Sequence, residues 1–179
     1  MNAYSRGLNY ALYQVGWFAC ILGAAWGWPW MGAVIATALI AVHVLLAPER
    51  ATELRLIGVA LAFGLVVEGY QAQRGTYAAF TSGSVVAWMS PPWLLLMWAQ
   101  FATTFRWSLR GIMLRPVRAA LFGAVGGPIA FWAGERLGAV TLAPPLWAAY
   151  LRLGLTWGIA LWACAEIARR QSSPSTSVP

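Results

Sequence analysis

The chain has 179 residues, of which 60% are hydrophobic and only 9% charged, and its mean hydropathy is +0.64. A water-soluble domain carries about 25% charged residues, so a soluble globular body is excluded, and the length suits one domain. The formal charge is +7 and all twelve basic residues are arginines; they are scattered between apolar blocks without forming a stripe, which argues for membrane topology and against nucleic acid.

A helix crossing the hydrocarbon core needs about 20 apolar residues, and six stretches qualify. The first runs from Leu8 to Trp26. Preceded by Arg6, it has the outline of a signal peptide, but five more apolar spans follow and it reads better as the first membrane helix. Tyr10, Tyr13, Gln14, Trp17 and Cys20 recur along it at helical spacing and predict one face. Gln14 falls about 9 Å from the inner end. The second span, Pro29 to Ala47, carries the single histidine. His43 lies about 6 Å in, placed for a proton relay, a polar head group, or plain hydrogen bonding.

The third span, Leu54 to Gln71, opens a repeated pattern. Leu54-Arg55-Leu56 followed by Glu68 recurs on the sixth span as Leu151-Arg152-Leu153 followed by Glu166, with Arg-to-Glu spacings of 13 and 14. Charges inside apolar spans are expensive and need a reason. Antiparallel contact of the two helices would pair Glu68 with Arg152 and Arg55 with Glu166, because the residue numbers sum to 220 and 221. Arg55 and Glu166 fall near the inner ends and read as interfacial charges that snorkel to water. Glu68, roughly 21 Å from the inner face, and Arg152 at a similar depth read as a pair or a cavity lining, with outward snorkelling as the rival. Of the five acidic residues only Glu68 is placed deep.

A Ser/Thr/Gly-rich loop from Arg74 to Ser90 leads to the fourth span, Pro92 to Gly111. Trp93, Met97, Gln100, Thr104 and Trp107 share one predicted face, and Thr104 lies about 10 Å in. Interhelical hydrogen bonds account for Gln14, Gln100, Thr103 and Thr104 unless a ligand does. The fifth span, Val117 to Arg136, contains Gly123, Gly126, Gly127 and Pro128. Gly123 with Gly127, and Gly134 with Gly138, form small-xxx-small steps that let helices approach. Pro128 removes a backbone donor and is expected to kink the helix, either to line a transport cavity or to solve a packing problem. The sixth span runs from Leu146 to Ala168, and the Ser/Pro-rich tail, residues 171–179, reads as a disordered cytoplasmic extension of a single domain over 1–170.

Cytoplasmic loops collect arginine. With the N-terminus inside, nine arginines (Arg6, Arg50, Arg55, Arg106, Arg110, Arg115, Arg118, Arg169 and Arg170) fall on the inner side and three (Arg74, Arg136 and Arg152) on the outer. Both termini are therefore expected in the cytoplasm. Trp26, Trp28, Trp30, Trp88, Trp93 and Trp147 fall at the predicted outer interface and read as an anchoring belt. Cys20 and Cys164 read as packing residues. No Walker loop, GxSxG, HExxH or CxxC occurs, no metal-ligand spacing is present, and paired carboxylates for acid–base catalysis are lacking. No cofactor is expected.

Several blocks carry a family resemblance: Gln14-Val15-Gly16-Trp17-Phe18, the lone His43, Pro91-Pro92-Trp93-Leu94, Phe101-Ala102-Thr103-Thr104, Gly123-Ala124-Val125-Gly126-Gly127-Pro128 through Gly134, and Leu137-Gly138-Ala139-Val140. The chain resembles a bacterial inner-membrane family, the domain of unknown function two-eight-seven-eight, over nearly its whole length. It departs from the family pattern at Phe131, where a Tyr is expected, and at Arg106-Trp107 before Ser108, where Asn-His is expected. The resemblance implies a small polytopic protein without an assigned activity, encoded near enzymes that modify fatty acyl chains.

These readings give an all-α, polytopic protein of the bacterial inner membrane with six transmembrane helices, a three-plus-three inverted repeat being an open alternative. Glu68, Arg152, His43, Gln14, Gln100, Thr104 and Arg136 are the candidate binding residues. Gly123, Gly126, Gly127, Pro128, Pro91, Pro92 and Trp93 are the candidate structural ones. The expected role is a non-catalytic component associated with membrane lipids or with a membrane-associated lipid-modifying enzyme. A small transporter using Glu68, Arg152 and Pro128, and a lipid-modifying enzyme, are the alternatives. A midplane cavity lined by those three residues would favour transport, whereas a lateral groove with Arg106 or His43 at its mouth would favour lipid binding.

Overall fold

The computed structural model describes residues 3–80 and 90–171. Trp88, most of the loop before Ser90, and the predicted tail beyond Gln171 lie outside the described residues. The chain is mostly helical: α1 (Ala3–Ala25), α2 (Pro29–Leu46), α3 (Arg50–Gln73), α4 (Pro92–Ala102), the single turn α5 (Arg110–Met113), α6 (Pro116–Arg136) and α7 (Leu146–Gln171). Pro29, Pro92 and Pro116 stand in the first turns of α2, α4 and α6, where a missing N–H costs nothing. Three helices, α2, α6 and α7, are long and apolar enough to cross a membrane; α1 and α3 are as long but do not meet the same standard of composition.

Two short strands add to the helices expected from sequence. β1 (Tyr77–Ala79) and β2 (Val140–Leu142) pair antiparallel, Tyr77 opposite Leu142. They join the segment after α3 to the α6–α7 connection. Gly138 (φ +84°) ends α6 in the left-handed conformation, with Ala139 N–H donating to the Gly134 carbonyl. The Gly134–Gly138 step is thus a helix terminus and not the helix-packing step expected of it.

The fourth predicted span is corrected. Helix α4 stops at Ala102 after 11 residues, about 16 Å and half the hydrocarbon thickness. The chain then tightens into i→i−3 bonds at Thr103, Thr104 and Phe105, and the Thr103 and Thr104 hydroxyls donate to the Gln100 and Phe101 carbonyls at 2.6 Å. Such local bonds compete with helix propagation. Helix α4 is buried on nearly all sides, Trp93, Trp98, Gln100 and Ala102 included, and packs against α1, α2 and α3. Trp93 is therefore a core residue and not part of the interfacial belt; Trp26, Trp28, Trp30 and Trp147 are exposed as that belt requires.

Helices α6 and α7 form the closest hairpin. A Cβ on Gly127 would fall 2.6 Å from Trp157 Cγ, and one on Gly154 would fall 2.9 Å from the Ala124 carbonyl oxygen. Ala124 lies four residues before Pro128, so its carbonyl has lost its helical donor. Helix α6 nevertheless runs unbroken through Pro128, and Gly154 lets α7 lie against that turn. Of the two roles open to Pro128, packing is the one in view, its Cγ lying 3.6 Å from where a Cβ on Gly154 would stand.

The bundle has two unlike ends. One gathers the N-terminal half of α1, the α2–α3 turn, the Thr103–Pro116 region and the end of α7. The other carries the Gly27–Trp28 turn and the β1–β2 ladder.

Candidate functional site

The arginine-rich end holds a continuous polar network. Asn9 on α1 is 5% exposed. Its amide Nδ2 donates to the Thr103 carbonyl at 3.0 Å and faces His43 Nδ1 at 3.4 Å. Its Oδ1 accepts from the Ser108 hydroxyl at 2.8 Å and the Ser108 N–H at 3.3 Å. Because Asn9 presents a donor to His43 Nδ1, that nitrogen accepts and Nε2–H is left to donate. Nε2 meets Glu53 Oε2 at 3.2 Å.

Glu53 sits one turn inside α3 and is 1% exposed. Its second oxygen, Oε1, accepts from Trp107 Nε1 at 3.0 Å and from an Arg106 guanidinium N–H at 3.3 Å. A buried carboxylate is tolerable only when paired and fully hydrogen-bonded, and these three donors meet that need. Arg106 also bridges to Glu49 Oε1 at 2.8 Å. The guanidinium beside Glu49 holds that exposed carboxyl below the usual carboxylate range. The Trp107 ring stands edge-on to His43, 5.9 Å between centroids.

Two pockets adjoin this network and share Trp107 as a wall. One, of about 400 Å³, is lined by Glu49, Glu53, Arg106 and Arg110 together with Phe105, Met113 and Leu114. The other, of about 260 Å³, is lined by His43 and Asn9 with Leu8, Leu12 and Leu46. A third cavity, about 100 Å³, is apolar and lies among α1, α4, α6 and α7, walled by Trp17, Trp98, Phe122, Gly126, Phe131 and Trp157. Glu68, Arg152 and Pro128 do not line it.

The expected Glu68–Arg152 pair does not form. Glu68 is fully buried, and its carboxylate accepts from the Tyr77 hydroxyl at 2.8 Å and from Trp98 Nε1 at 2.9 Å. Helices α3 and α7 do touch, but in another register: Gln71 Nε2 donates to the Thr156 hydroxyl at 2.7 Å, and those numbers sum to 227. The displacement from the expected sum is about 10 Å along the axes, which puts Arg152 level with the end of α3. Arg152 makes no ion pair among the described residues, and its Nε has no hydrogen-bond partner. Glu166 pairs with its own helix neighbours, Arg169 and Arg170, and not with the exposed Arg55.

The remaining candidates scatter. Gln100 is buried and donates to the Leu12 carbonyl at 3.1 Å, filling the space that a Cβ on Gly16 would need. Thr104 bonds within its own turn. Gln14 is half-buried with no side-chain hydrogen bond among the described residues. Arg136 is exposed over the Trp132 ring at 5.8 Å. On α1 the buried stripe is Asn9, Gly16, Cys20 and Ala24, with Tyr10 exposed, so the predicted aromatic face is rotated. Asn9 and Glu53 were not anticipated. The signal that points to Asn9 is the 4-3-4 spacing Asn9-Tyr13-Gly16-Cys20. No group of three or more metal-binding side chains occurs among the described residues.

No curated protein and no solved structure matches the chain. A family model described as Protein of unknown function (DUF2878) matches residues 7–163, and the chain belongs to that family.

Proposed function

We propose that this protein is a non-catalytic component of the bacterial inner membrane that holds an amphipathic lipid at its arginine-rich end. The observation that carries this reading is the pocket lined by Arg106, Arg110, Glu49 and Glu53 together with apolar walls formed by Phe105, Met113 and Leu114. That mixture suits a molecule with a polar head and an apolar body at the membrane interface. Transport is less well supported, because the cavity among α1, α4, α6 and α7 is apolar and omits Glu68 and Arg152. Catalysis has less behind it: within the buried network both His43 nitrogens and both Glu53 oxygens are engaged in holding α1, α2 and α3 to the Thr103–Ser108 segment.

We further read the chain as six membrane passages with both termini in the cytoplasm. The fourth passage is then α4 continued by the Thr103–Leu109 turns, whose non-helical backbone is sheltered by neighbouring helices. Arginines at one end and exposed tryptophans at the other support that orientation. A three-plus-three repeat has less behind it, since α4 has 11 residues and its counterpart α1 has 23. A lipid-modifying membrane enzyme is the partner that such a lipid-holding component would serve.

Native mass spectrometry of the protein released from its own membrane tests the lipid reading. Phospholipid should remain on the wild-type chain and fall about tenfold in Arg106→Gln, the loss of one charge-assisted contact. A wild-type chain that carries no phospholipid would sink the proposal.

A further inference from the structure

We infer that the pocket beside Arg106 recognises a phosphoethanolamine group, a zwitterion, in preference to an anionic head group; this rests on the lipid reading above.

The argument starts from charge balance. The pocket wall contains two arginines, Arg106 and Arg110, and two glutamates, Glu49 and Glu53. A purely anionic head group would meet both signs, and Glu49 would repel what Arg110 attracts. A ligand with one positive and one negative group has a partner for each.

Hydrogen-bond capacity narrows the choice. Glu53 is spent, its oxygens taken by His43, Trp107 and Arg106. Glu49 is not: it is 60% exposed, one oxygen meets Arg106, and the other has only a long 3.4 Å contact from the Thr52 hydroxyl. A carboxylate of this kind accepts N–H donors, which a primary ammonium has and a quaternary one lacks. On the other side, Arg110 is exposed and makes no ion pair among the described residues, and Arg106 spends one N–H on each glutamate out of five. Guanidinium groups of this kind match phosphate oxygens.

Spacing fits as well. Arg106 and Glu49 touch at 2.8 Å, so the pocket offers a cation and an anion side by side. A two-carbon linker holds a phosphate and an ammonium at the same close range. Phe105, Met113 and Leu114 then face the glycerol and the first acyl carbons.

The test uses the full chain in vesicles of one acyl composition carrying phosphatidylethanolamine, phosphatidylglycerol or phosphatidylcholine, with retained lipid read by native mass spectrometry. Soluble glycerophosphoethanolamine is added in a separate arm. Phosphatidylethanolamine should be retained about tenfold over the other two. Glu49→Gln should abolish that preference while leaving phosphatidylglycerol bound, and Arg110→Gln should weaken both. Both substitutions are at exposed positions and leave the buried network in place. Equal retention of all three lipids by the wild type overturns the zwitterion assignment and leaves lipid binding intact. Retention of none overturns both. Binding of the soluble compound as tight as that of the lipid keeps the phosphoethanolamine assignment and overturns the lipid reading.

Discussion

The imidazole of His43 and the carboxylate of Glu53 meet at 3.2 Å across the α2–α3 turn, and Glu53 passes the connection on to Arg106 and Trp107. One buried carboxylate therefore ties α2 and α3 to the segment where α4 gives way to α5.

Removing that carboxylate should be costly. Glu53→Ala leaves His43, Trp107 and Arg106 without their shared acceptor in a buried site, a loss of about 3 kcal/mol. Glu53→Gln keeps an acceptor oxygen and should lose less. Thermal unfolding in detergent measures both, and an alanine variant as stable as the wild type contradicts the network.

Glu68 and Arg152 should behave as independent residues. In a double-mutant cycle, Glu68→Ala and Arg152→Ala should add within about 0.5 kcal/mol. Glu68→Gln with Tyr77→Phe should instead couple by about 1 kcal/mol, the scale of a buried hydrogen bond. Coupling in the first cycle and none in the second would restore the pairing expected from sequence.

The α6 glycines should separate by position. Gly127→Ala drives a methyl into Trp157 and should destabilise by about 1–3 kcal/mol. Gly126→Ala meets nothing nearer than Phe122 at 4.0 Å and should be neutral or slightly stabilising, since alanine favours the helix. Equal effects on the unfolding midpoint would mean that Trp157 does not pack there.

The Arg106–Glu49 pair should show itself through pH. The folded Glu49 carboxyl is held below its ordinary value by Arg106, so its contribution is present above the unfolded carboxylate range. That contribution is lost as pH falls through the folded value. Wild type and Glu49→Gln should therefore differ at neutral pH and converge in acid, and added salt should shrink the difference because the pair is exposed. A gap that widens in acid would contradict the assignment.

Sequence made the long helices legible because their signals are local. Pro29 and Pro116 mark helix starts, and apolar runs of spanning length follow them. The end of α4 was not legible, because Ala102-Thr103-Thr104-Phe105 continues the same apolar pattern whether the threonine hydroxyls turn inward or not. Asn9 and Glu53 were hidden by their nearness to helix ends, where a polar residue ordinarily faces water. The Glu68–Arg152 register failed for a different reason. Depth counted along each helix separately cannot see that Tyr77, on β1, donates back to Glu68 or that α3 meets α7 where Gln71 faces Thr156.

The two ends of the bundle are fastened by different means. The β1–β2 ladder closes one with backbone hydrogen bonds, and the Glu135 carboxylate adds to them by accepting from the Leu142 N–H at 2.8 Å. The other is closed by side chains around Glu53 and by the exposed Arg106–Glu49 bridge. Added salt therefore weakens the exposed Arg106–Glu49 bridge more than it weakens the backbone pairing that joins β1 to β2.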